Sequence, residues 1–206
     1  MSPRTSEKFK EIRDIRQQQL KDAAIELFGM KGFAATKISE ITNKAELSHG
    51  LFYHYFKSKE ELYVTVLIEL LETLIEVIDE AEEQSESPLM QLEWLTDVTH
   101  SGPLKDGVYR HILIMQALYS DHLPAETKEN IVERYRSMVI RIALIIERGQ
   151  ITGDFIEGDP EELAIYHLSL VHGLLLSNAR KMVPIEVSVD KVLRQLKPCE
   201  DRGEHA

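Results

Sequence analysis

Apolar residues recur every three or four positions along almost the whole chain, and no stretch holds the period of two that marks a strand. The pattern predicts an all-α protein of about nine helices. The first covers about 9–30, with Ile12, Ile15, Leu20, Ala24, Leu27 and Phe28 on its inner side. Lys31-Gly32 closes it on a glycine suited to a left-handed cap. Two short helices follow. One spans 37–45, with Ile38, Ile41 and Ala45 inward; the other spans 48–55, with Ser48 as an N-cap whose hydroxyl accepts an orphan backbone N–H. Ser58-Lys59-Glu60-Glu61 reads as a capping box. The helix it opens runs to about Gln84, and at ~1.5 Å per residue it makes a rod roughly 40 Å long. Clusters of Gly, Pro and Asp divide the remainder into helices at about 88–100, 104–119, 125–149, 160–182 and 188–197.

Charge changes this picture more than composition does. The 206 residues are 43% apolar and 29% charged, as in ordinary globular proteins with a sizeable core. The lone Cys199, in a polar tail, cannot close an internal disulfide, and the polar start MSPRTSEKFK does not read as a signal peptide. A cytoplasmic protein is the expectation. The net charge of −11 argues against nucleic acid, but it is unevenly spread. Residues 1–59 hold 11 Lys and Arg against 7 Asp and Glu, whereas the remainder holds 13 against 28. A basic head on an acidic body is the asymmetry of a small DNA-binding domain joined to something else.

The stretch LSHGLFYHYFKSKEEL, residues 47–62, carries the most chemistry. Phe52, Tyr53, Tyr55 and Phe56 surround His54, with His49 just before them. At about 100° per residue these rings cannot share one helix face. Phe52 and Phe56, four apart, suit a core with Ile38, Ile41, Ala45 and Leu47; His49, Tyr53 and His54 then look outward. Two short helices with a tight turn near Glu46-Leu47 make a helix-turn-helix, whose second helix enters the major groove. Tyrosine, serine and lysine donate to phosphates, and histidine or small residues approach base edges.

With these residues in place, LKDAAIELFGMKGF followed by ATKISEITNKAELSHGLFYHYFKSKEEL resembles the DNA-binding head of the TetR family of transcriptional regulators. The Y-x-Y-F-x-x-K match is Tyr53, Tyr55, Phe56 and Lys59. The resemblance implies phosphate contacts at Thr36, Lys37, Ser48, Tyr53, Tyr55 and Lys59, and base contacts at Ser39, His49, Gly50 and Leu51. His54 joins this DNA-facing surface. Glu46 departs from the family, where glycine is commoner in the turn.

The resemblance also implies a head of about 1–57 and a sensing and dimerising body of about 58–206. The function implied is that of a homodimeric repressor, released from a palindromic double-stranded DNA operator by a small and largely apolar effector. Trp94, His111, Met115, Tyr119, Tyr135, Met138 and Ile142 recur on the middle helices. Such a stripe is ordinarily core, but with His167 it is also the candidate ligand pocket. Tyr166, Leu170, Gly173 and Leu174 are the candidate dimer face. An alternative body would bind a protein partner in place of a small molecule. No cofactor or metal is expected: His49/His54 and His167/His172 are each five apart, which points the members of each pair in different directions. No phosphate loop, nucleophile elbow or paired-cysteine motif suggests an enzyme.

Overall fold

The computed structural model describes residues 3–100, 108–120, 123–179 and 188–198, and among these it is all helical. The elements are α1 (Pro3–Lys31), α2 (Ile38–Lys44), α3 (His49–Phe52), α4 (Lys59–Gln84), α5 (Pro88–His100), α6 (Val108–Tyr119), α7 (Ala125–Thr152), α8 (Pro160–Ala179) and α9 (Val189–Leu193). The all-α reading from periodicity holds. The expected extensions of α6 over 104–107 and of α8 over 180–182, and Cys199, lie outside the described residues. No described helix is long and apolar enough to cross a membrane.

Two local expectations fail at α1 and α3. Ile12 and Ile15 are exposed, as is Phe9, and Leu20 is the first fully buried position of α1. Their helical spacing is real, but no element among the described residues covers these early turns. The helix α3 is one turn long, and His54 and Tyr55 follow it in a turn.

The chain divides into two compact units, Met1–Leu70 with Tyr109–Ile131 and Leu71–Val108 with Val132–Ala206. One division falls inside α4, between Leu70 and Leu71. In the first unit, Leu20, Ala24 and Phe28 of α1 are buried, as are Ile41, Phe52, Phe56, Leu62 and Leu67. Tyr63 joins the ends of two helices: its ring meets Phe28 edge-on at 5.1 Å and Phe33 at 4.7 Å. Lys21 pairs with Glu69 at 2.7 Å, and Lys44 with Glu26 at 2.8 Å. Gly29 admits α6 closely, since a Cβ there would lie 2.8 Å from the Cβ of Tyr109.

The second unit has a core built from Ile78 and Ala81 of α4, Leu92 of α5, Ile142, Ile145 and Ile146 of α7, Leu163, Ala164 and Leu168 of α8, and Leu193. Phe155 is folded onto this core by the turn after α7. Gly153 takes φ +81°, and the N–H groups of Asp154 and Phe155 both donate to the Gly149 carbonyl, at 2.8 and 3.1 Å. Arg148 donates to Glu82 at 2.7 Å and to Gln91 at 2.9 Å, bridging α7 to α4 and α5.

Burial pushes the His172 imidazole down to about 4. Its protonation is thereby delayed in the folded state. Between pH ~6.5 and ~4 the unfolded chain holds the extra proton, so this site's contribution falls as pH falls, by at most about 3 kcal/mol. Thermal melts of the wild type and His172→Gln, each referred to its own pH 7 value, should coincide above pH ~6.5 and diverge most near pH 4, where the wild type has lost more stability.

Candidate nucleic-acid interface

The α1–α2 connection is fixed before any partner arrives. Gly32 ends α1 at φ +81°, with its N–H on the Phe28 carbonyl at 2.8 Å. The Thr36 hydroxyl donates to the carbonyls of Gly32 at 2.8 Å and Leu27 at 3.2 Å. Lys59, the first residue of α4, donates its ammonium to the carbonyls of Phe33 at 2.8 Å and Thr36 at 2.9 Å. That ammonium also sits 4.3 Å from the Phe33 ring centre. Lys37 then starts α2, its N–H donating to Glu40 at 3.0 Å. The Lys31 ammonium, 2.6 Å away, and this N–H together hold the Glu40 carboxyl below its usual range.

The turn into α3 is a Schellman closure. Leu47 N–H bonds the Thr42 carbonyl at 2.9 Å and Glu46 N–H bonds that of Asn43 at 3.2 Å. Glu46 occupies the left-handed position at φ 57°. A side chain in this conformation, where glycine is usual, costs about 1 kcal/mol. Glu46→Gly should therefore raise the melting temperature by a few degrees and, by removing an exposed carboxylate, tighten DNA binding at low salt. Calorimetry and a mobility shift check the two effects separately.

Ser48 takes the N-cap position of α3, but its side chain makes no capping bond, contrary to expectation. Its hydroxyl is exposed. At α4 the box is displaced by one residue. The Glu61 N–H bonds the Ser58 hydroxyl at 3.1 Å, while the Glu61 carboxylate accepts from the N–H of Lys57, one residue before Ser58.

The inside-outside division of the aromatic stretch follows the four-residue spacing of Phe52 and Phe56. Phe52 and Phe56 are buried, with ring centres 5.8 Å apart. His49, Tyr53 and His54 are exposed, and His49 meets the Tyr53 ring edge-on at 5.6 Å. Leu51 and Tyr55 are half-buried. A Cβ on Gly50 would meet nothing within 4 Å, so a partner can approach that backbone.

A groove of about 520 Å³ gathers Thr36, Lys37, Ser39, His49, Tyr53 and Lys59, and with them Lys57 and Ser58, which the motif reading did not nominate. Lys57 had a signal: it is a basic residue directly between the buried Phe56 and the capping Ser58. Two nominated residues need correction. Thr36 is 1% exposed and its hydroxyl is spent on α1, so its side chain positions the loop and does not face a phosphate. Lys59 spends two of its three donors on the same loop, leaving one for a phosphate.

The sequence profile described as "Bacterial regulatory proteins, tetR family" matches residues 20–66, which contain this whole groove-bearing segment. This segment is a TetR-family head. The HTH-type transcriptional regulator BetI of Rhizobium meliloti is 25% identical over 181 residues, covering 88% of this chain and 86% of that protein. The TetR-type fold extends beyond the head. The transcriptional regulator FadR from Bacillus subtilis, solved in complex with stearoyl-CoA, superimposes with a TM-score of 0.67 at 21% identity, over 86% of this chain and 95% of that one. AibR, solved in complex with isovaleryl coenzyme A and operator DNA, gives 0.65 at 16% identity, over 87% and 94%.

The other nominated residues are scattered. Met138 and Ile142 are buried in the second unit's core, with Trp94 and Tyr135 packed against it. His167 is buried on α8 in the same unit. His111, buried, and Met115, half-buried, belong to the first unit. Tyr119 is 84% exposed at the end of α6, among the described residues. On α8, Tyr166 is exposed and donates to Glu162, which holds its phenol proton more tightly than usual. Leu170 and Leu174 instead pack against Val171, Leu175 and Val192. The exposed apolar positions of α8 are Ile165, Tyr166 and Leu176. The 165–169–172–176 spacing was the signal that would have found Leu176.

Proposed function

We propose that this regulator is a homodimeric repressor, with residues 1–57 as reading head and 58–206 as the dimerising and sensing body. A small, largely apolar effector binding the body releases it from a palindromic operator. The observation that carries the DNA-reading part is the groove itself. It sets three lysines, two serines, Tyr53 and His49 along one concave surface, with His49 beside the open backbone of Gly50. Lysine and hydroxyl donors position a duplex by its phosphates, while residues at the start of the second helix meet base edges.

Dimerisation is supported by two exposed apolar stripes. Ile140, Leu144 and Ile151 recur along α7 and Ile165 and Leu176 along α8. Exposed apolar surface of this kind marks an interaction site, and one twofold interface presents two heads to successive major grooves about 34–36 Å apart. The effector reading is supported by the acyl-CoA complexes of FadR and AibR, which share the fold. The finer assignment of effector-lining residues keeps Trp94, Tyr135 and His167 and drops Tyr119.

A Cβ at Gly173 would meet nothing within 4 Å, so Gly173→Leu leaves the protomer's packing intact. It should weaken dimerisation by about tenfold, from the ~1–3 kcal/mol that overpacking an interface costs. Operator affinity should fall with it. Sedimentation and mobility shifts test the pair together: a monomer that still holds a full palindrome tightly contradicts the dimer. Titration of the bound complex with acyl-CoAs and other apolar metabolites tests release. If none lowers operator affinity, the effector part fails.

A further inference from the structure

A pocket of about 380 Å³ lies in the first unit, against the opening turns of α4. Its walls include Phe33, Tyr63, Val64 and Leu123, and Glu60 and Glu61 also line it. We propose that this pocket is a binding site for a small organic cation with an apolar body, and that its occupant strengthens DNA binding.

Four observations lead there. The lining is mainly apolar and aromatic, and the volume suits a ligand of about ten to twenty heavy atoms. Among the described residues that line it the charged side chains are carboxylates alone; Lys59 stays outside, its ammonium held by the Phe33 and Thr36 carbonyls and 4.3 Å from the Phe33 ring centre. Tyr63 is only 3% exposed, and burial pushes its phenol up to about 12. Aromatic rings beside carboxylates attract a desolvated cation through both ring quadrupole and charge.

The fourth observation supplies the consequence. Glu60 lines this pocket and also the groove that holds Lys37, His49, Tyr53 and Lys57. A carboxylate on the DNA-facing groove repels phosphate. A cation seated beside it offsets that charge, in each protomer of the proposed dimer. The effect on operator affinity is a rise of about tenfold at low ionic strength, fading with added salt. This sign is opposite to release by an effector in the body. The coupling rests on the DNA-reading groove; the binding site itself does not.

The test uses the full chain and two isosteric probes, benzyltrimethylammonium and the uncharged neopentylbenzene. Without DNA, calorimetry should show the cation binding at least tenfold more tightly than its neutral isostere. Glu60→Gln should reduce that preference several-fold, Glu61 and the rings keeping the remainder, and Val64→Trp should abolish binding by filling the pocket. With operator DNA, the cation should raise the wild type's affinity, whereas Glu60→Gln should bind more tightly at the outset and ignore the cation. Equal affinity for the two probes, or unchanged cation binding in Val64→Trp, overturns the site. Binding as described with no change in operator affinity overturns the coupling through Glu60 and leaves the DNA-reading assignment standing.

Discussion

Operator affinity is expected to fall by about 10³-fold when Lys37 and Lys57 are both replaced by alanine. Both side chains are exposed and line the groove, so the folded head should survive their loss. Each lysine that neutralises a phosphate releases a counterion and contributes about 0.9 to the slope of log affinity against log salt. A dimer presents each lysine twice. Four lost contacts should therefore make the slope shallower by about 3.6, and at ~0.1 M salt remove about three orders of magnitude. The loss should be similar for operator and random DNA, because phosphates carry no sequence. Mobility shifts at several salt concentrations measure both quantities. An unchanged slope would mean that these lysines do not touch the backbone and that the groove is misassigned.

The largest loss of stability is expected from a single methyl group. In Gly149→Ala the new Cβ would lie 2.1 Å and 2.4 Å from Cδ2 and Cε2 of Phe155. Neither side can easily give way. Phe155 is 3% exposed within the second unit's core, and two backbone bonds to the Gly149 carbonyl fix the turn that carries it. Overpacking of this kind costs about 3 kcal/mol or more, against about 1 kcal/mol regained from alanine's helix propensity. A net loss of roughly 2–3 kcal/mol corresponds to a melting temperature lower by about 5–10 °C. A variant that melts with the wild type would show that the turn after α7 is free to move.

The sequence carried the head almost to the level of side chains, because local rules govern it. A spacing of four suffices to pair Phe52 with Phe56 and His49 with Tyr53, and the end of α3 at Phe52 is what takes Phe56 away from the His49 side. A missing glycine suffices to flag Glu46, which does adopt the left-handed conformation. What local rules miss is the use of a side chain by a distant neighbour. Thr36 and Lys59 occupy family contact positions, yet their donors close the α1–α2 loop across nine and 23 or 26 residues of chain. Ile12 and Ile15 have core spacing without a covering element. Tyr119 lies in an aromatic stripe but ends a helix in solvent. On α8, Leu170 and Leu174 turn inward because Val192 offers them a partner, leaving Leu176 outside. In each case the deciding atom belongs to another element.

The position of the unit boundary within α4 bears on any attempt to transplant this DNA reader onto a foreign sensor. A chimaera cut at residue 57 would discard the Lys59 clasp on the α1–α2 loop, the Tyr63 ring between Phe28 and Phe33, and the Glu69 partner of Lys21. The graft would carry its recognition residues without the parts that hold their loop in place. A splice at Leu70–Leu71 retains all three. It must still supply a helix whose backbone lies as close to Gly29 as Tyr109 does, since this reader's smallest transplantable piece is discontinuous in the chain.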